Sequence, residues 1–432
     1  MHILITGASG FIGSHLTRAL LDQGHRVTGA VRDPDGFRRR FSGAQAMPID
    51  FTRAIHADDW LHLLHDVDAV INAVGIIRES GRQTFKALHE QAPIALFQAC
   101  EIAGVSRVIQ ISALGADRAA QSQYHLTKRE ADDYLANSAL TWTVLRPSIV
   151  YGPGARSMAL FKAMAALPVT PLVNRGEQQI QPIHVSDLTK AVLQCLTAEG
   201  PVGVRVDLVG PEPISFRDLM KQLRQWLGLG PLRSLAIPYG LTLAAAKLGG
   251  FLGTAPVTPE TVGMLQRGNT AHVHGFIRCF GFTPLSLQAA LWAEPACQAD
   301  QWHAGLFFIP LLLRISLALT WILAGIFSAF VFPETQSFAL LAQAGLGGGV
   351  ATIALYGAAA LDLLLGLATL SGRWLRPALY GQLILMLLYT LIISLFLPGW
   401  WTHPFGPVVK NLPIATATLT LLVMQRRSAW NT

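Results

Sequence analysis

The sequence predicts a doubly wound parallel α/β sheet with a small C-terminal substrate lobe, followed by a four-helix transmembrane bundle. Three observations lead there. The chain opens on a strand, a glycine-rich turn and a helix in MHILITGASGFIGSHL. Its composition, 51% hydrophobic and 14% charged, is too apolar for an ordinary soluble enzyme of 432 residues. The excess is confined to the end: residues 301–432 carry six basic and two acidic side chains, whereas the first 300 carry 27 and 24. The expected divisions are 1–230 for the nucleotide-binding domain, 231–300 for the lobe and linker, and 301–432 for the membrane domain. The net charge of +7 comes without a long basic run interleaved with aromatics, which weighs against nucleic acid and for a membrane surface as the partner. Cys100, Cys195, Cys279 and Cys297 form no CxxC pair, so neither a zinc site nor a disulfide framework is indicated and a cytosolic compartment fits. The apolar run at residues 3–5 is too short for a secretory signal.

Residues 2–6 read as a short buried strand, and residues 11–23 follow with Ile12, Leu16 and Leu20 at helical spacing. The glycines therefore sit at a strand-to-helix turn. Gly7 permits the tight turn, Gly10 lets backbone N–H groups approach a pyrophosphate, and Gly13 lets helix and strand pack closely. The helix N-terminus then faces the anion. A second strand at 26–31 ends on Val31 and Arg32, where NAD-dependent sheets of this kind tend to place an acid for the adenosine ribose. A carboxylate repels a 2′-phosphate and a guanidinium binds one, so Arg32 points to NADP(H) in preference to NAD(H). Arg38, Arg39 and Arg40 read equally as a ligand group or as a solvated helix face.

Further along, PIDF supplies Asp50, VINAVG spans residues 70–75, QISALGAD supplies Ser112, YHLTK supplies Tyr124 and Lys128, and LRPSIVYGPG contains Pro147 and Ile149. With IHVSDL, which holds Asp187, and the closing FGFTPLSLQAAL, these stretches over residues 1–295 resemble the extended and atypical short-chain dehydrogenase/reductases. The chain is most similar to the branch that contains the nucleotide-binding accessory subunit of respiratory complex I. The resemblance implies a Rossmann fold. It implies a cofactor site of Gly7, Ser9, Gly10, Phe11, Ile12, Gly13, Arg32, Asp50, Ala73, Val74, Gly75, Pro147 and Ile149. It also implies a catalytic set of Ser112, Tyr124 and Lys128, with no metal. Ser112 lies 12 residues before Tyr124, closer than in many extended members.

A free tyrosine has a pKa of about 10, and a neighbouring ammonium favours its phenolate. Tyr124 and Lys128 are four apart, on one face of a helix. Tyr124 is expected to give or take the hydroxyl proton, Lys128 to lower its pKa and hold the nicotinamide ribose, and Ser112 to orient a carbonyl. Cys100 and Cys195 lie in apolar helical patterns and read as core thiols. The histidines at 56, 62, 65 and 89 read as surface or packing residues, Asp132 and Asp133 as facing solvent, and residues 235–252 as a cover for the substrate pocket, with grazing of the membrane the alternative.

Four apolar runs follow, at 306–330, 346–370, 377–397 and 407–424, each near the length that spans hydrocarbon. Pro333, LGGGV and LPGWW punctuate them, and Trp400 and Trp401 suit an interface. An Arg in the first run and an Asp in the second resemble the DoxX-like domain. Arg373 and Arg376 between helices two and three, and Arg426 and Arg427 after helix four, place both termini in the cytoplasm of a cell with an inner membrane. Arg314 and Asp362 fall at equal depth and are expected to pair.

The leading reading is a membrane-anchored NADP(H)-dependent oxidoreductase acting on a lipid-like or lipid-linked carbonyl or alcohol. The alternative is a non-catalytic nucleotide-binding accessory or assembly protein of a membrane complex. An NAD(P)-dependent epimerase or dehydratase comes third.

Overall fold

A computed structural model describes residues 1–251 and 259–425. They divide into two compact units, one of residues 1–247 and 259–305, the other of 248–251 and 306–425. In the first unit seven strands form one parallel sheet: β1 (His2–Thr6), β2 (Arg26–Val31), β3 (Gln45–Pro48), β4 (Ala69–Asn72), β5 (Arg107–Ile111), β6 (Trp142–Pro147) and β7 (Val204–Leu208). Their order is β7-β6-β5-β4-β1-β2-β3. The chain winds outward from β1 to β3, then returns to build β4 on the other side of β1. That reversal opens a crevice at the C-terminal ends of β1 and β4, where doubly wound sheets bind their ligands.

β1 is apolar at Ile3, Leu4 and Ile5 in succession because both of its faces are covered. Ile3 and Ile5 pack with Leu16 and Leu20 of α1 (Phe11–Asp22) on one face; Leu4 packs with Trp60 and with Leu96 and Phe97 of α3 (Ala92–Ala103) on the other. Between them α2 (Pro34–Arg40) closes the outer edge through Phe37. Cys100 and Cys195 lie in these cores as free thiols, as the apolar patterns imply. The lobe draws on segments well inside the chain: Ser234–Ile237 pairs in parallel with Thr170–Val173, and Ile214–Ser215 pairs antiparallel with Gln179–Ile180. Leu252 lies outside the described residues.

The second unit holds α5 (Ile309–Ile326), within the helical stretch 298–331 that starts in the first unit, followed by α6 (Gly348–Ser371) and α7 (Leu375–Phe396). These three helical stretches are long and apolar enough to cross a bilayer. The fourth run forms α8 (Asn411–Met424), 14 residues long. At ~1.5 Å per residue it reaches about 21 Å, short of the roughly 30 Å hydrocarbon thickness. Ile353, Leu364, Ile384 and Leu395 point outward, an arrangement suited to lipid and costly in water. The inner contacts use small residues: a Cβ at Gly366 would lie 2.8 Å from the Ile322 amide nitrogen, and one at Gly325 2.7 Å from the Ala359 carbonyl oxygen. Such close backbone approach supplies the packing that holds helices together in lipid.

Arg314 and Asp362 do not pair. Arg314 Nε donates to the Thr369 carbonyl at 2.9 Å, and Nη2 donates to the Leu370 carbonyl. These lie in the last turn of α6, whose carbonyls lack helical partners and whose dipole attracts a cation. Gly372 ends the helix at φ +70°, where a Cβ would meet the guanidinium. Asp362, two turns earlier, instead accepts from the Tyr389 hydroxyl at 3.3 Å. Arg426 and Arg427 lie outside the described residues.

Candidate functional site

The glycine turn has the geometry of a phosphate cradle. Gly7 sits at φ +65°, and a Cβ there would lie 2.9 Å from the Ala73 carbonyl oxygen at the end of β4. A Cβ at Gly13 would overlap the Gly7 carbonyl. Gly10 is the N-cap of α1, with no side-chain cap and no acid in the first turn, so the helix offers its amide end to an anion. The residues present therefore fit a dinucleotide pyrophosphate. Ser9 borders this turn, Ile12 packs toward the core, and Phe11 packs toward the lobe, stacked edge-on against His15 with ring centres 5.3 Å apart.

Arg32 is exposed just past β2. The acid beside it, Asp33, caps α2 by accepting from the Gly36 amide at 2.9 Å. Arg38 is bound to Asp35 and to the Ala46 carbonyl, in keeping with a helix-face role. At Asp50 burial acts to raise the carboxyl pKa, but bonds from Thr52 and the charges of Arg53 and Arg32 hold it below the usual range. Across the sheet, Ala73, Val74 and Gly75 leave the end of β4 and pass close to Lys128 and His89. Pro147 ends β6, and the Ile149 amide is held by the Asn269 side chain at 2.9 Å.

Tyr124 and Lys128 lie on α4 (Gln123–Ala136), which begins at a Ser122 cap. Lys128 is buried, and its Nζ donates to the Val74 carbonyl at 2.9 Å and the Ile111 carbonyl at 3.1 Å, tying α4 to the ends of β4 and β5. Burial pushes its pKa down to about 8, opposed by Asp132. Tyr124 is enclosed edge-on by Phe85, His89 and His125, with ring centres 5.9, 5.2 and 5.1 Å away. Its amide donates to Glu260 at 3.1 Å. Burial, then the Glu260 charge, pushes the phenol up to about 12. This reverses the expected lowering: the Lys128 ammonium is spent on two carbonyls, and the phenol keeps its proton.

Ser112 is buried, and its hydroxyl donates to Asp132 at 2.5 Å. Asp132 does not face solvent; it is 0% exposed. It ends a ladder across the sheet in which Thr6 bonds Asn72 at 2.5 Å, Asn72 bonds Gln110 at 2.7 Å and Gln110 approaches Asp132 at 3.4 Å. Arg146 lies 3.8 Å away. Burial pushes the Asp132 carboxyl up to about 6, against Ser112, Lys128 and Arg146. His89 is likewise an inside residue. Its Nε2 accepts from the Ile76 amide at 3.0 Å, which puts the ring proton on Nδ1, and burial beside Lys128 lowers its pKa to about 2. The i,i+4 spacing of Lys128 and Asp132 was a usable sequence signal; the position of His89 carried none.

Residues 7–168 match the NAD(P)H-binding family, and residues 318–419 match the DoxX-like family. The chain is 28% identical over 275 residues to ceramide reductase of Caulobacter vibrioides, covering 62% of this chain and 84% of that protein. It is 25% identical to mitochondrial NADH dehydrogenase (ubiquinone) 1 alpha subcomplex subunit 9 of Arabidopsis thaliana, covering 56% of this chain and 61% of the relative. It is 27% identical to 2-alkyl-3-oxoalkanoate reductase of Stenotrophomonas maltophilia, over 53% and 76% of the two chains. In fold it is similar to UDP-glucuronic acid 4-epimerase of Bacillus cereus, with a TM-score of 0.54 at 22% identity over 68% of this chain and 98% of the other. With the glycine cradle and the apolar helices, these matches identify a membrane protein that binds a nicotinamide dinucleotide, an NAD(P)H-binding Rossmann domain fused to a C-terminal DoxX-like domain.

Proposed function

We propose that the protein is a membrane-anchored, NADP(H)-dependent reductase of a carbonyl on a lipid-like substrate. The observation that carries this reading is the placement of Tyr124 and Lys128 four residues apart on α4, with Lys128 bonded to the strand ends beside which the glycine cradle opens. The dinucleotide, when bound, supplies the hydride. Tyr124 gives its proton to the oxygen that becomes the alcohol; burial, which pushes the phenol up, keeps that proton in place until the oxygen takes it. Lys128 fixes the ends of β4 and β5 against α4 through its bonds to the Val74 and Ile111 carbonyls, and so holds Tyr124 in position. Gly7, Ser9, Gly10, Phe11, Ile12 and Gly13, with Asp50, Ala73, Val74, Gly75, Pro147 and Ile149, form the cofactor cleft. The reductases of ceramide and of 2-alkyl-3-oxoalkanoate among the relatives support a long-chain substrate.

The preference for NADPH rests on Arg32, exposed beside the adenosine end while Asp33 is held in its cap. Arg32→Asp should lower NADPH affinity relative to NADH by roughly 10- to 100-fold, the worth of a charge-assisted bond. Fluorescence titration of both reduced dinucleotides checks it, and an unchanged ratio refutes it. Arg373 and Arg376 support a cytoplasmic reading of their short loop in an inner-membrane protein, with the N-terminal unit on that side; the C-terminus joins it there where α8 and the residues flanking it make a fourth crossing. A reporter after Thr432 should be active only in the cytoplasm; activity solely on the other side refutes the orientation.

One observation favours a second reading, a nucleotide-binding accessory protein without turnover. The Ser112 hydroxyl is bonded to Asp132, away from any carbonyl it was expected to orient.

A further inference from the structure

Between Asp218 and Glu260 the sequence holds no acidic residue, while it holds Lys221, Arg224, Arg233 and Lys247. The described part of this stretch also turns large apolar side chains outward. Leu235, on the strand Ser234–Ile237, is 60% exposed, and Leu241, on the helix that begins at Tyr239, is 62% exposed. Ala244, Ala245 and Lys247 continue that exposed helix face. Such a face is costly in water unless something apolar covers it.

The surface is joined to the segment from which the first membrane span departs. Gln301 donates to the Leu227 carbonyl at 2.9 Å, and Trp226 Nε1 donates to the Glu294 carbonyl at 2.7 Å. Trp302, beside Gln301, is 63% exposed, and the stretch Gln298–Val331 is continuous with the first span. An exposed tryptophan at the entry to a span is the residue type that settles at headgroup level.

We propose that the exposed side chains Leu235, Leu241 and Trp302 of the first unit, with Arg233 and Lys247, together serve as a docking surface for anionic lipid headgroups and the upper acyl chains. The single sign of charge over residues 219–259 selects an anionic surface, and Asp300, near Trp302, is paired with Lys162 at 3.0 Å. Continuity with the span selects the bilayer over a protein partner. Docking stands whatever the reaction is. Its use for delivering a substrate rests on the reductase reading: the neighbouring helix Pro259–Arg267 carries Glu260, which holds the Tyr124 amide, so the docked lobe adjoins the proton donor.

The test uses the full chain in nanodiscs of phosphatidylcholine with one quarter phosphatidylglycerol. Cys279→Ser and Cys297→Ser remove the accessible native thiols, and nitroxide is attached after Leu235→Cys, Leu241→Cys, Trp302→Cys or, as the control, Ile102→Cys, an exposed site on α3. Retained dinucleotide binding shows that each variant is folded. Relaxation by oxygen should exceed relaxation by a water-soluble nickel complex at 235, 241 and 302, with the reverse at 102. Arg233→Glu with Lys247→Glu should shift 235 and 241 toward nickel. Nickel dominance at 235 and 241, with or without oxygen dominance at 302, overturns the docking. So does protection of 235 and 241 from both reagents, which would mean a second copy of the chain covers them. If docking holds and no carbonyl lipid is reduced, only the reductase reading fails.

Discussion

Lys128 and Asp132 face each other from one helix, and the charge on each depends on the other. Lys128 is protonated below about 8, so its ammonium is lost as pH rises through that value. Asp132 is ionised above about 6, so the charge supporting Lys128 is lost as pH falls through that value. Arg146, 3.8 Å away, and the hydrogen bonds from Ser112 and Gln110 also act on this carboxylate and keep the lower limb from moving further up. The profile of kcat/KM against pH should therefore be a bell between about 6 and about 8. Asp132→Asn should remove the acid limb and carry the alkaline limb below 8, because burial then acts on Lys128 unopposed. An alkaline limb unmoved by Asp132→Asn refutes the coupling. Tyr124 and Lys128 were legible as a pair because four residues make one helical face. The burial of Asp132 was not, since it depends on Ser112, Gln110 and Arg146, which β5 and β6 bring from a distance in the chain.

At the scale of the element, the glycine turn was legible in full because each glycine answers a local demand of a strand-to-helix turn. The membrane charges were legible only in part. Depth along a helix is one coordinate, and equal depth put Arg314 opposite Asp362; the carbonyls at the end of α6 supply a better partner for a guanidinium, and depth does not reveal them. Because the two side chains have separate partners, Arg314→Leu and Asp362→Leu should each lower folded yield, and their effects should add, with a coupling within about 0.5 kcal/mol of zero. Thermal unfolding in detergent of both single variants and the double variant measures this. A double variant more stable than either single one would show that the charges do pair.

Across the whole molecule, the partition of charge, 27 basic and 24 acidic residues before position 301 against six and two after it, separated the sheet unit from the membrane helices without any motif. The winding of the sheet could be expected from the glycine turn, because a parallel strand following a helix leaves few other paths. The lobe was not separable by sequence, since Thr170–Val173 waits for a strand more than sixty residues later to pair with it. Transfer of a hydride onto a lipid-like carbonyl, with Tyr124 as the acid, can be followed by isotope labelling. Membranes carrying the full chain are given NADPH deuterated at the transferable position of the nicotinamide, and the lipid extract is read by mass spectrometry. Deuterium should enter a lipid alcohol with the native chain, and on the order of 10²–10⁴-fold more slowly with Tyr124→Phe, which still binds the dinucleotide. No deuterium in any lipid with the native chain, or equal incorporation with Tyr124→Phe, would contradict it.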